Sequence, residues 1–460
     1  MSSAPFSDHG NSDVAIAPAP ERTEGDLGIG RDDYAVTRMP SGERKHWFVV
    51  FLQRYGQLSA LSQFLLGATL GFGMDFWQAF LALTLGAVIL EVVAVFTGIA
   101  GQREGLSTSL LTRWTGFGRY GSSLLGLVIT ISLMGWFGVQ NAVFAQGIQA
   151  LLPHAMPLAA WEVLTGLLVT GIVIWGFLSM TWTAYITVPA FVLLCVYSIG
   201  KALHKESLGA LVASPHPGPA LGIGAGATLV AGGFIVGAVI NPDMCRFNRN
   251  ARDVVLNTIL GITLGEYTIG LIGVLLAHFA KTENVIGIVT TTTGTVGILI
   301  LVAATTKIND WNLYSGSLGL ANSVDTAFGK RVHRALLTLI VGAIGTLLSA
   351  LGILGHFVGF LTILGVAFPP VAAIIFVDYY VLRTHRRALE ATRGSSSLPA
   401  WCPNWTVAGM AAWIAGGLVG YYVHWGIASI NSLVVAAIVY YGLARLMPVN
   451  TPAPAVSEAR

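Results

Sequence analysis

The sequence predicts an all-α polytopic membrane protein, and three observations carry that prediction. Only 10% of its 460 residues are charged, against about 25% in soluble domains. Hydrophobic residues make up 54%, and mean hydropathy is +0.71. Between His46 and Pro448, apolar runs recur at about 20 residues, the length that crosses a bilayer core as a helix. This composition excludes a soluble enzyme, a coiled coil, a nucleic-acid binder and a disordered chain. The 55 glycines follow no three-residue period, which excludes a collagen-like chain. Cys195, Cys245 and Cys402 have neither zinc-site nor disulfide spacing.

Cutting the chain at polar and Pro/Gly clusters gives 12 spans. They are 48–73, 77–100, 119–151, 159–177, 183–204, 220–241, 254–280, 294–318, 336–353, 356–382, 404–423 and 427–447. Residues 1–46 show no basic stretch followed by an apolar run. They read as a flexible cytoplasmic tail rather than a signal peptide, and Pro-rich 448–460 reads as a second tail. Spans 1–5 form a first five-helix unit, 47–204, and 205–219 is an extracellular loop. Spans 6–10 form a second unit, 220–382; 383–403 is a cytoplasmic loop, and spans 11 and 12 occupy 404–447. Orientation follows from the basic residues. With the N-terminus inside, all 25 Lys and Arg face the cytoplasm except Lys201, Lys205, Lys281 and Lys307. Arg54 counts among the cytoplasmic ones in this reading.

Span 1 carries a polar stretch, Arg54-Tyr-Gly-Gln-Leu-Ser-Ala-Leu-Ser-Gln63, inside a hydrophobic run. Span 6 carries Gly222-Ile-Gly-Ala-Gly-Ala-Thr and then Ala231-Gly-Gly-Phe234. Interruptions five helices apart mark discontinuous helices in an inverted repeat, and unwound backbone at membrane depth is tolerated where it lines a cavity. That places a substrate cavity between spans 1 and 6. Gly222 and Gly226 fit small-residue helix packing better; for Gly232-Gly233 packing and unwinding are equally compatible. A phosphate-loop reading of the Gly222 stretch lacks the lysine.

Span 3 carries Trp136 and Gln140, four apart and so on one helix face. An indole plane and an amide suit a flat heterocycle, although a packed Trp and an interhelical Gln would give the same spacing. Ionisable groups inside spans are costly and are functional hypotheses by default. They are Glu91, Glu266, Lys307 and Asp310, with Asp75, Glu162 and Asp378 near span ends. Lys307 and Asp310 are three apart on span 8 and can pair locally, with Asn309 and Asn312 beside them. Glu91 and Glu266 have no partner visible in the sequence, and each reads as a protonated structural carboxyl or a proton-relay group. His278 and His356, at span ends, read as interfacial.

These motifs in this order resemble a known family. Gly135-Trp-Phe-Gly-Val139, Arg246-Phe-Asn-Arg-Asn-Ala-Arg252 and Asn309-Asp-Trp-Asn-Leu-Tyr-Ser-Gly316 are similar to the cytosine permease-like (purine/cytosine permease) branch of the nucleobase:cation symporter-1 family. So are Leu70-Gly-Phe-Gly73, Gly105-Leu-Ser-Thr108, Phe357-Val-Gly-Phe-Leu361, Pro369-Pro370 and Asp378-Tyr379. The resemblance covers spans 1–10 and weakens after. It implies a LeuT-type fold: a five-plus-five inverted repeat with broken helices 1 and 6, then two extra C-terminal helices. It also implies a carrier of nucleobases or related rings such as hydantoin or allantoin, usually coupled to Na⁺ or H⁺. By that resemblance Trp136 and Phe234, with the Gly233 backbone, sandwich the ring. Gln140 and Asn309 read its edge. The span 1 glutamine of the hydantoin-carrying branch falls on Ala60, so Gln57 or Gln63 would substitute only after a local shift.

The cation site is where the chain departs from the family pattern. The carbonyl positions match Gly56 and Ser59, but without gaps the helix 8 hydroxyl pair falls on Lys307 and Ile308. An ammonium there would stand in for the sodium charge. A two-residue insertion would restore Thr305 and Thr306 as ligands, yet it would rotate every later side chain by ~200°. The expectation is therefore a secondary active transporter importing a nucleobase-like heterocycle, proton-coupled or Na⁺-independent, with Lys307 and Asp310 in coupling. A sodium symporter using Gly56, Ser59, Thr305 and Thr306, an uncoupled facilitator and an amino-acid carrier of the same fold are the alternatives. An enzyme is not expected, since the sequence offers no HExxH, no Ser/Lys dyad and no paired membrane aspartates. No cofactor is expected beyond the coupling ion, H⁺ or Na⁺. The expected partners are the small-molecule substrate and the lipid bilayer, with no nucleic acid and no obligate protein partner. The expected location is a bacterial-type inner membrane, with both termini in the cytoplasm.

Overall fold

The computed structural model describes residues 37–175, 177–330 and 332–447; most of the two expected tails lies outside the described residues. Within them the secondary structure is helical, apart from an isolated bridge between Lys45 and Asn248. The longer helices are α1 (Trp47–Leu58), α2 (Leu61–Gly73), α3 (Phe76–Glu104), α4 (Gly118–Leu151), α5 (Leu158–Trp175), α6 (Phe177–Lys205) and α7 (Ile223–Val239). Then follow α8 (Ala251–Gly265), α9 (Leu271–Ala280), α10 (Val285–Phe328), α11 (Arg334–Ala350), α12 (Phe357–Ala367), α13 (Pro369–Phe376), α14 (Val407–Tyr422) and α15 (Ala428–Leu446). Among the described residues, 6 continuous helical stretches are long and apolar enough to cross a membrane; α2, α5, α7, α11 and α14 are shorter but apolar.

The outer surface explains the composition. Val88, Val92 and Phe96 on α3 and Leu164, Leu167 and Leu168 on α5 are exposed, a pattern that suits lipid rather than water. Trp77, Trp405 and Trp425 are exposed near helix ends, where indoles anchor at membrane interfaces. Inside, α4 packs along α10, α3 along α7, α1 along α8, and α7 along α12.

The two expected interruptions fare differently. Span 1 breaks inside its polar stretch: α1 ends at Leu58, and Ser59 (φ −80°, ψ 55°) and the extended Ala60 separate it from α2. Span 6, in contrast, runs as one helix through Gly232-Gly233 and is interrupted only at Ile240-Asn241, before the short helix Pro242–Cys245. The reason is packing: a Cβ on Gly232 would overlap the Leu361 carbonyl of α12. This glycine permits close helix approach rather than unwinding.

Three other breaks shape the bundle. Gly294 (φ 63°, ψ −148°) kinks α10 where span 8 was expected to start. Phe368-Pro369 divides span 10 into α12 and α13. A π-helical turn, Glu266–Gly270, joins α8 to α9.

Buried polar contacts correct several sequence readings. Arg54 is not at the cytoplasmic surface but has no solvent exposure, because the α1 face that carries it packs onto α7 and α8. Glu91 and Glu266 do have partners: Thr263 donates to Glu91, and Gln63 to Glu266. His278 is a buried bridge rather than an interfacial ring, with its nitrogens 3.1 Å from the Leu211 carbonyl and 3.0 Å from that of Met74; His356 is exposed. Asp378 is buried and accepts from Tyr440 on α15, tying the last helix to span 10. Asp75 caps α3 and accepts from the His216 amide at 3.0 Å. Glu162 is buried beside Asn141, whose amide donates to its backbone carbonyl at 2.8 Å.

Candidate functional site

The long helices α4 and α10 bring most of the expected substrate residues together. Trp136, Gln140 and Asn309 are all buried. Asn309 donates to the carbonyl of Phe137, next to Trp136, at 3.4 Å, and its own carbonyl accepts from Asn312 at 3.4 Å. Both bonds are long, so the amide keeps capacity for a stronger partner. Gln140 has a buried Oε1 with no hydrogen-bond partner among the described residues. A buried amide oxygen left unmatched is unfavourable by about 1–3 kcal/mol, which fits an acceptor waiting for a donor on a ligand.

The two expected aromatics pack against different partners. The Trp136 ring packs edge-on against Phe360 (5.4 Å, 77°) and Phe357 (6.1 Å, 73°) of α12. Phe234, on α7, is half-buried, with Gly233 equally accessible. The Arg54 guanidinium sits 5.4 Å from the Phe234 ring centroid and bonds to Asn241 Oδ1 and, at 3.5 Å, to the Gly237 carbonyl. Arg54, Phe357 and Phe360 were not singled out as site residues from sequence. Phe357 and Phe360 lie within a motif quoted for the resemblance, so that motif was the available signal. Arg54 opens the polar stretch of span 1, but its position near a helix start disguised it as an interfacial cation.

The expected coupling residues are only partly described. Gly56 lies in the last turn of α1, where the final helix carbonyls have no intrahelical partner. Ser59, at the joint, is buried, and its hydroxyl has no hydrogen-bond partner among the described residues. Thr305 and Thr306 donate back to the carbonyls of Leu301 (2.7 Å) and Val302 (3.0 Å). Asp310 is buried. The side chain of Lys307 lies outside the described residues. Gln63 is committed to Glu266, and Ala60 is buried at the joint.

Comparison with solved structures places this arrangement. The chain is similar to Mhp1 in its inward-facing conformation, with a TM-score of 0.76 at 17% identity over 91% of this chain and 94% of that one. It is also similar to closed Mhp1 with bromovinylhydantoin bound, described as a nucleobase-cation-symport-1 family transporter. There the TM-score is 0.73 at 18% identity, over 91% of this chain and 97% of that one. The fold is thus LeuT-like, and a family match and a curated relative make the class a membrane permease rather than an enzyme. Residues 44–444 match the model for permeases for cytosine/purines, uracil, thiamine and allantoin, and the chain belongs to that family. Among curated relatives, the cytosine permease of Escherichia coli (strain K12) is 31% identical over 386 residues, covering 81% of this chain and 85% of that protein. The hydantoin permease of Microbacterium maritypicum is 22% identical over 369 residues, covering 75% and 73%.

Proposed function

We propose that the chain is a secondary active transporter that imports a nucleobase or related planar heterocycle by alternating access, coupled to protons or independent of Na⁺. The observation that carries the substrate class is Gln140: a buried amide oxygen without a donor, one helical turn from Trp136 and on the helix that Asn309 reaches. A ring with N–H groups at its edge would satisfy Oε1 and Asn309 while its plane lies against aromatic surface. Relatives named for cytosine and hydantoin support the same class. Because the three residues are buried, entry requires a rearrangement, and the joint at Ser59-Ala60 supplies a hinge. In this reading 47–204 and 220–382 are the inverted repeats, 404–447 are accessory, and all 12 spans cross the membrane. The 1–46 and 448–460 tails and the 383–403 loop face the cytoplasm of a bacterial-type cell, and 205–219 faces outside. Arg38 and Arg393 meeting at Glu104 support a common cytoplasmic face for the first tail and the 383–403 loop.

The ungapped alignment, which puts Lys307 at the usual sodium position, supports the Na⁺-independent reading, with Asp310 three residues on. The sodium alternative rests on Gly56, Ser59, Thr305 and Thr306; the two threonine hydroxyl oxygens keep lone pairs after donating to Leu301 and Val302. Thermal-shift measurements on purified protein with purines, pyrimidines and hydantoins, each with and without Na⁺, test both points. A shift with one ring class that is equal in Na⁺ and in choline medium is expected. No shift with any ring sinks the substrate class, and a shift that appears only in Na⁺ sinks the coupling reading.

A further inference from the structure

Glu266 is fully buried at the start of the π-helical turn, and the substrate site does not use it. Such turns inside α-helices recur at functional positions. Gln63, in the first turn after the span 1 joint, donates its amide to Oε2. The other oxygen, Oε1, is buried and has no hydrogen-bond partner among the described residues. The second half of span 1 therefore meets this turn through Gln63. The first half meets it through Leu58, the last residue of α1, which packs on Gly265. Both sides of the joint thus rest on adjacent residues, Gly265 and Glu266.

The charged and titratable surroundings are few. Glu91 of α3 is half-buried, lies within electrostatic reach of Glu266 and accepts from Thr263, one turn earlier on α8. Tyr267 bonds to Thr84 at 2.7 Å, and Tyr55 of α1 approaches Thr268 at 3.5 Å. No lysine or arginine bonds to either carboxyl among the described residues. An ionised Glu266 would carry its charge at membrane depth with one neutral donor and a second carboxyl nearby, a costly state. A proton on Oε1 removes that charge and leaves the Gln63 bond to Oε2 intact.

We propose that Glu266 is the carboxyl that carries the coupled proton, held by Gln63 at the span 1 joint. The step is an acid–base one: Oε1 takes a proton from the external medium, forming an O–H bond, and returns it to cytoplasmic water after the carrier has turned inward. Loss of the proton leaves a buried charge that calls for water or a second donor. That need favours separation of Leu58 and Gln63 and so opening of the joint. This inference rests on the proton-coupled reading above.

The test is uptake of radiolabelled cytosine, uracil, adenine and hydantoin into proteoliposomes holding the full chain, with the interior alkaline in Na⁺-free medium and, in a second arm, with an inward Na⁺ gradient. Wild-type protein is expected to accumulate at least one probe. Glu266→Gln is expected to equilibrate and exchange that probe but to lose its accumulation against a gradient. Accumulation by Glu266→Gln equal to wild type overturns this inference alone. Wild-type accumulation only with a Na⁺ gradient overturns the coupling reading and this inference with it. A wild type that exchanges none of the probes overturns the substrate class as well. Should Glu266→Gln fail to fold, Glu266→Asp decides: it is expected to keep accumulation with a displaced pH midpoint, and an unchanged pH profile overturns the proposal.

Discussion

Arg54 lies beneath the ring of Phe234, its guanidinium carbon 5.4 Å from the ring centroid, while its nitrogens hold Asn241 and Gly237 at the end of the same helix. The contact joins the first half of span 1 to the residue expected to form one wall of the substrate site. A desolvated cation–π contact contributes about 2 kcal/mol, and a planar fork reaches two acceptors while stacked, which an ammonium does not. Arg54→Lys should therefore lower uptake at least tenfold with surface expression retained. Uptake and expression within twofold of wild type would refute the role.

Gln140 separates a binding role from a packing role. If its amide only held two helices together, Gln140→Leu would destabilise the protein. Because Oε1 has no partner among the described residues, replacement by an apolar group of similar size should leave the ligand-free melting temperature unchanged or higher. The thermal shift given by the heterocycle should disappear. A lower ligand-free melting temperature with the ligand shift preserved is the result that contradicts this.

Gly135 precedes Trp136 because Phe360 occupies the space where its side chain would be. A Cβ there would come within 2.5 Å of Phe360 Cε2 and 2.8 Å of Cζ. Gly135→Ala should push Phe360 off the indole and weaken heterocycle binding, with an overpacking cost of about 1–3 kcal/mol. Combining it with Phe360→Leu should recover stability but not affinity. Full affinity in the double variant would show that the Trp136–Phe360 contact does not shape the site.

The sequence made the helical membrane fold legible because the apolar runs and the scarce charges are long-range averages. It also located the span 1 joint, since Arg54 to Gln63 is polar where a continuous span would be apolar. It did not locate the span 6 interruption: Gly232-Gly233 looks the same whether glycine permits unwinding or close approach, and only the backbone of Leu361 decides. Motif order singled out Trp136, Gln140 and Asn309, and the structure shows all three buried, with Asn309 bonded to the residue after Trp136. The Arg54–Phe234 and Gln63–Glu266 contacts could not be read from the sequence, because they join residues about two hundred positions apart that only packing brings together.

Among the described residues, Glu104 is the most heavily bonded carboxyl on the face assigned to the cytoplasm. It accepts from Arg38 at 3.2 Å, Arg393 at 2.7 Å and Tyr379 at 2.6 Å. Arg38 also reaches the carbonyls of Leu389 and Ser397, so it straps the segment before α1 to the 383–403 loop. Removing the acid leaves a buried guanidinium without its counter-charge. Glu104→Gln should therefore cost about 3–5 kcal/mol, most of it through Arg38, since Arg393 is 41% exposed and screened. Adding Arg38→Gln should restore part of the loss. Thermal unfolding in detergent reads both, and an unaltered melting temperature in the single variant would rule out the strap.

His385, in the same loop, gives that region a pH dependence of defined sign. The ring is buried against Trp401 (6.0 Å between centroids), and burial holds its pKa below the ordinary histidine value. The unfolded chain then binds a proton that the native state resists. Stability is complete above about pH 6.5 and falls as the pH drops from there toward the native-state pKa. The slope for one proton is at most about 1.4 kcal/mol per pH unit. Melting temperatures of the purified protein between pH 7.5 and 5.5 should fall, and His385→Phe should flatten the curve. Because acidic groups also titrate, the difference between the two proteins is the quantity that counts. Parallel curves would mean that His385 does not set the acid sensitivity of this loop.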